Sequence, residues 1–201
     1  MVKPSNSSKK HFPAIFAAGL FVCAISSGFK QAPLPIPKDP PEVAKKLVLR
    51  NNAASLLAQL LDDEKGAHYI LIIKGHREEL QQLIKKISAA ADAGANELMA
   101  MAKIDPALNL HALDLPAGEK ATRAAIETTK EHELLFTSGE DFEFTLLLTQ
   151  ADALSYGWHL AQIAADNSAD PAEAKAFAAL SASLQDLYKQ TVALMRSPPA
   201  K

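Results

Sequence analysis

Between residues 80 and 101 the chain carries Leu80, Ile84, Ile87, Ala91, Gly94, Leu98 and Met101, apolar or small side chains separated alternately by four and three positions. This alternation holds one narrow stripe of a helix in register over about three heptads, and such a stripe is stable only when other helices cover it. A chain so marked must pack helices side by side. Ala91 and Gly94, in the middle of the stripe, imply bulky side chains opposite them.

Three further stripes follow the same rule. Asp39, Pro40 and Glu42 form a helix start, since the carboxylate takes orphan amides and proline has none to lose. Val43, Leu47, Arg50 or Asn51, Ala54, Leu57 and Leu61 then keep helical spacing. This first helix ends near Asp62 or runs past Gly66 to Lys74. Tyr69 to Ile73 is apolar and partly β-branched, but with no strand partner elsewhere it reads as a buried helical turn or short connector. Gly75 breaks the pattern, and the helix bearing Leu80 begins at about His76. Ser138 with Asp141 resembles a capping box opening a third core helix, whose seam is Phe144, Leu147, Ala151, Leu154, Trp158, Ala161 and Ala165. Asp170, Pro171 and Glu173 repeat the start device, and Phe177, Leu180, Leu184, Leu187, Thr191 and Leu194 line the last helix. Trp158 and Phe177 are expected as the core fillers opposite Ala91 and Gly94.

The stretch 104–137 differs. It is irregular to Leu115, with Pro106 and Pro116, and then gives a helical segment, 117–136, too polar for a central position. Antiparallel neighbours need only short loops, whereas parallel helices need a connection of this length. The expected fold is therefore all-α: a four-helix bundle over residues 42–196, with ferritin-like up-down pairs joined by a long crossover that carries an extra surface helix.

The N-terminus has another character. Lys3, Lys9, Lys10 and His11 precede the apolar run Phe12 to Ile25, and Ser26, Ser27 and Gly28 follow. A positive segment, an apolar segment and small residues are the parts of a secretory signal, here residues 1–28. The run falls short of the roughly 20 apolar residues that span a bilayer. A proline-rich linker, residues 29–41, follows, with prolines at 33, 35, 37, 40 and 41. The expectation is an exported protein, periplasmic or secreted. Cys23 is the only cysteine, so the chain beyond the signal has no thiol. Lipidation at Cys23 is the alternative; Leu20 suits it, while Val22 is larger than the usual small residue. Membrane contact is expected only through the signal or such a lipid. A formal net charge of −2 offers no basic field for nucleic acid.

The segment Ser138-Gly139-Glu140-Asp141-Phe142-Glu143, the Asp170-Pro171 pair and Lys175-Ala176-Phe177-Ala178 together resemble the C-terminal half of an exported bacterial family of ferritin-like bundles known only as a domain of unknown function. The resemblance covers roughly residues 85–195 and implies the same four-helix fold outside the cytoplasm. It also implies where the chain departs. Leu154 stands where the family has a histidine, and Ala91 stands at its other helix histidine.

A di-iron bundle needs Glu-x-x-His on two helices and a glutamate from each of the others. No histidine here follows a glutamate by three: Tyr156 precedes His159 at that offset, Thr129 precedes His132, Ile73 precedes His76, and Lys65 precedes His68. Looser groupings are Glu64 with His68, near Asp62 and Asp63, and the run Glu131, His132, Glu133. Both read first as solvated polar turns. His159, beside Trp158 near the inner seam, is the one candidate metal ligand. Asn51 and Asn52 are expected to fix helix register or to face Gln150 or Tyr156. Neither Cys-x-x-Cys-His, Gly-x-Ser-x-Gly nor a glycine-rich phosphate loop occurs. The expected function is a non-enzymatic binding or structural module of the cell envelope, without cofactor, that meets an envelope protein partner. The alternative is an atypical ferritin-like metal-binding or redox protein.

Overall fold

A computed structural model describes residues 41–112 and 115–197. The expected signal, Cys23, the Asp39 start and all of the expected linker before Pro41 lie outside the described residues. Those described are helical, without strands: α1 Pro41–Glu64, a 3-10 helix Ala67–Ile72, α2 Glu78–Ile104, α3 Ala117–Phe136, α4 Gly139–Asn167 and α5 Pro171–Arg196. The run after Gly66 is thus a short helical connector that buries Ile70 and Leu71 and leaves Tyr69, Ile72 and Ile73 outside.

Contacts along the helices fix their directions. On α1, Arg50 meets Asp105 at the end of α2 and Glu173 at the start of α5, while Glu64 meets Ser88 on α2 and Gln150 on α4. Gly157 of α4 lies against Leu57 and Leu60 of α1 and Leu184 of α5. Hence α1 is antiparallel to α2 and α4, and α5 is antiparallel to both as well. The four pack in a ring, α1–α2–α5–α4, with α4 and α5 in the most extensive contact. Helix α3 runs back along α4 as the crossover and buries only Glu127 and Leu134.

The centre is built unequally. A Cβ on Gly94 of α2 would fall 2.9 Å from Leu180 Cδ1 and 3.1 Å from Leu61 Cδ1. One on Gly157 of α4 would fall 2.8 Å from Leu60 Cδ2 and 3.2 Å from Leu184 Cδ1. Leucines of α1 and α5 therefore fill notches in α2 and α4, so the bulk opposite Gly94 is Leu61 and Leu180 rather than Trp158 and Phe177. Every expected seam residue of α2 but Met101 is buried, as are those of α5 up to Thr191. On α4 the expected seam residues Leu147, Ala151, Leu154, Ala161 and Ala165 are buried, whereas Phe142 is fully buried in place of Phe144, which is 56% exposed, and Trp158 is only partly covered.

The helix starts differ in their chemistry. Asp170 accepts a hydrogen bond from the Ala172 amide at 2.8 Å with Pro171 in the first turn, as its sequence requires. Ser138 occupies the N-cap of α4 but its side chain takes no cap hydrogen bond, so no capping box forms there.

Candidate functional site

Three polar assemblies interrupt the apolar packing, one near each end and one inside. At the end where α1 and α5 begin, Arg50 is buried and its Nη1 donates to Asp105 Oδ2 at 2.8 Å and to Glu173 Oε2 at 3.0 Å. Burial raises the pKa of Glu173, and the Arg50 charge pulls it back. Ser168 Oγ donates to the other oxygen of Glu173 at 3.3 Å. Beside this clamp Asn51 donates to the Ala107 carbonyl and Ser55 to the Asn109 carbonyl, which fasten the start of the crossover onto α1. Asn51 thus faces the crossover, and Gln150 pairs elsewhere.

The interior assembly centres on Glu64. Its side chain continues the register of Leu57 and Leu61 and is only 4% exposed. Gln150, fully buried on α4, donates from Nε2 to Glu64 Oε2 at 2.9 Å. Ser88 of α2 donates to the Glu64 backbone carbonyl at 3.2 Å, and both the His68 amide and its Nδ1 lie within 3.3 Å of the Ser88 hydroxyl. Among the described residues no basic side chain bonds the Glu64 carboxyl; Gln150 is its partner. Burial pushes its pKa up to about 7; the Gln150 bond lowers it and the neighbouring Asp63 charge raises it. Two atoms stay unsatisfied, Glu64 Oε1 and Gln150 Oε1. The expectation of a solvated turn at Glu64 is corrected here: the residue lies on the inward register, and His68 reaches it through Ser88 rather than by sharing a helix face.

The third assembly ties the opposite end. The Arg77 amide donates to Glu143 Oε1 at 2.6 Å, its Nε pairs with Glu143 Oε2 at 2.9 Å, and its Nη2 donates to the Leu194 carbonyl at 3.1 Å. Lys74 Nζ donates to the carbonyls of Leu135 at 2.6 Å and Thr137 at 2.8 Å, closing the C-terminus of α3. These two cations hold the chain around an apolar surface. Ile72, Ile73, Leu135 and Phe136 are 72%, 61%, 44% and 76% exposed. A neighbouring pocket of about 280 Å3 is lined by Arg77, Glu143, Phe144, Leu147 and Met195 among others.

His159 is placed differently from its expected position. It lies on the exposed face of α4, stacked on Trp158 with ring centroids 3.3 Å apart, and its Nδ1 bonds the Ser155 carbonyl at 2.7 Å. The register explains this: Trp158 already stands at the edge of the seam, and the next residue turns a further 100° outward. Glu131, His132 and Glu133 sit on α3, where the His132 ring packs at a tilt against Phe136, centroids 4.3 Å apart. Among the described residues no three His, Cys, Asp or Glu side chains converge in a way that could hold a metal ion. Among the described residues Glu64 faces an amide and Glu173 is taken up by Arg50, with no cluster of ligands around either, so the donor set does not fit a di-iron centre. No helix among the described residues is long and apolar enough to cross a membrane.

Arg50 and Arg77 are the residues of these assemblies that the sequence does not single out as site candidates, while Glu64 enters there only beside His68 and Gln150 only as a group for Asn51 or Asn52 to face. Arg50 and Glu64 carry a legible signal, a charged residue exactly on an apolar register, but register alone names no partner. Comparison with protein-family models, curated proteins and solved structures finds no match to the chain.

Proposed function

We propose that this chain is a partner-binding helical module of the cell envelope, a four-helix bundle of ferritin-like connectivity that docks another protein through the end bearing Ile72, Ile73, Leu135 and Phe136. The observation that carries the reading is that apolar surface. Four large side chains from two chain segments stay open to solvent where Lys74 pins those segments together, and exposed apolar patches on otherwise polar surfaces mark interaction sites. The antiparallel ring of α1, α2, α5 and α4, with α3 as crossover, supports the ferritin-like connectivity. The N-terminal signal pattern supports export.

The test is a photo-crosslinking residue placed at Phe136 of the full chain in the producing cell, with the exposed Lys86 as control position. A discrete adduct at position 136, absent at 86 and lost on adding Ile72→Asp, supports docking at this end. Equal or no adducts at the two positions would defeat it.

A further inference from the structure

The unsatisfied oxygens of Glu64 and Gln150 belong to two side chains already joined by one hydrogen bond. If Glu64 is a carboxylate, both atoms are buried acceptors with nothing to accept, and each costs the free energy of desolvation without return. A single proton resolves both. A carboxylic acid has one O–H to donate and an amide has one carbonyl to receive it, so the pair closes into a ring of two hydrogen bonds, N–H to carboxyl oxygen and O–H to amide oxygen.

We propose that Glu64 is held as a neutral carboxylic acid in a two-bond ring with Gln150, and that loss of this proton to solvent opens the α1–α4 seam. The surroundings suit a neutral acid. From α4 the facing group is the Gln150 amide, from α2 the Ser88 hydroxyl, and from the 3-10 helix the His68 ring, which is hydrogen-bonded to Ser88. On α1 itself Asp63 adds a negative charge next in the chain, which opposes a second one at Glu64. On the turns of α1 before it, Leu57, Leu60 and Leu61 are buried. The raised pKa of Glu64 agrees with this geometry. Glu64 is the last residue of α1, and the 3-10 helix begins three residues later, so the seam that opens is the one from which that connector hangs. The inference stands apart from the docking reading, since it concerns the interior alone.

The experiment is an infrared titration of the full chain across neutral pH, alongside hydrogen exchange of α1 and α4. The expected result is a hydrogen-bonded carboxylic-acid carbonyl band in the wild type on the acid side of neutrality, missing from Glu64→Gln and fading on the alkaline side. The opening constant of the wild type relative to Glu64→Gln should rise by up to about tenfold per pH unit between the ordinary glutamate range and neutrality. Glu64→Gln keeps the shape and two-bond pairing and so should fold; the wild-type band answers the question without it. A wild type with no acid band near neutrality, or with the same pH dependence as the variant, overturns the proposal.

Discussion

Two glutamates of this protein are buried to nearly the same extent, Glu173 at 7% exposure and Glu64 at 4%, yet their surroundings have opposite logic. Glu173 faces a guanidinium that also holds Asp105, and receives a hydroxyl on its other oxygen. Glu64 faces an amide, with a carboxylate next to it in the chain. Burial penalises the charged form at both, but only one has a counter-charge to recover part of the cost. Position in the ring decides which solution is open. Arg50 lies near the end of the helices, where the half-exposed Asp105 can join it. Glu64 closes α1 after the buried Leu57, Leu60 and Leu61, and the group that meets its carboxyl from α4 is the Gln150 amide.

The sharpest break between the two is removal of one partner. Arg50→Ala leaves Glu173 buried beside Asp105 with no cation, and the expected loss is about 3–5 kcal/mol in urea or guanidinium unfolding. Loss below about 1 kcal/mol would mean that Arg50 is solvated in the folded protein.

Next comes pH. The Glu64 pKa stands at about 7 in the folded chain against an ordinary 4.5. Below the ordinary value both folded and unfolded chains hold the proton, and the stability is fully present. As pH rises through the ordinary value toward the folded one, the unfolded chain releases the proton first, so stability falls, and above about 7 the loss is complete. Over the whole interval the wild type should lose about 3 kcal/mol relative to Glu64→Gln. Parallel stability profiles for the two proteins would contradict this.

Gln150→Leu asks a smaller question. It strands the Glu64 acid without its partner, and about 1–3 kcal/mol should be lost. The double variant Glu64→Leu with Gln150→Leu should recover most of that loss, because two apolar side chains replace a pair that was neutral already. Recovery shows that the loss in the single variant comes from the stranded Glu64 carboxyl and not from the leucine at position 150. A double variant as weak as the single one would point to packing strain instead.

The sequence made the helices legible because their seams are repeated signals: seven positions on α2 and six on α5 each report the same face. The surface helix at 117–136 was legible by its polarity and by the prolines before it. Single residues were not. Phe142 and Phe144 are equally aromatic and two apart, and only the packed start of α4 shows that Phe142 goes inward. His159 was assigned an inward place from its neighbour Trp158, although one step along a helix is a large rotation. Glu64 reads in the sequence as part of a solvated turn beside His68, because its meaning depends on Gln150, 86 residues away. Pairings at that separation are fixed by the order in which helices surround the core, which no local pattern encodes. The exposed Ile72 and Phe136 were likewise hidden, since apolar residues at helix ends look the same whether they are covered or open.

The smallest effect bears on why the charged solution works at Glu173. Asp170 caps α5 through the Ala172 amide and also raises the Glu173 pKa by its charge, three residues away on the same first turn. These two roles can be separated. Asp170→Ala removes both and should cost about 1 kcal/mol, the usual worth of an N-cap. Asp170→Asn keeps a capping oxygen and removes the charge, so stability should change by only a few tenths of a kcal/mol while Glu173 titrates lower, as nuclear magnetic resonance of its carboxyl carbon can read. A Glu173 titration indifferent to Asp170→Asn would leave burial, Arg50, Asp105 and Ser168 as its environment, and would rest the contrast with Glu64 on the Arg50 clamp alone.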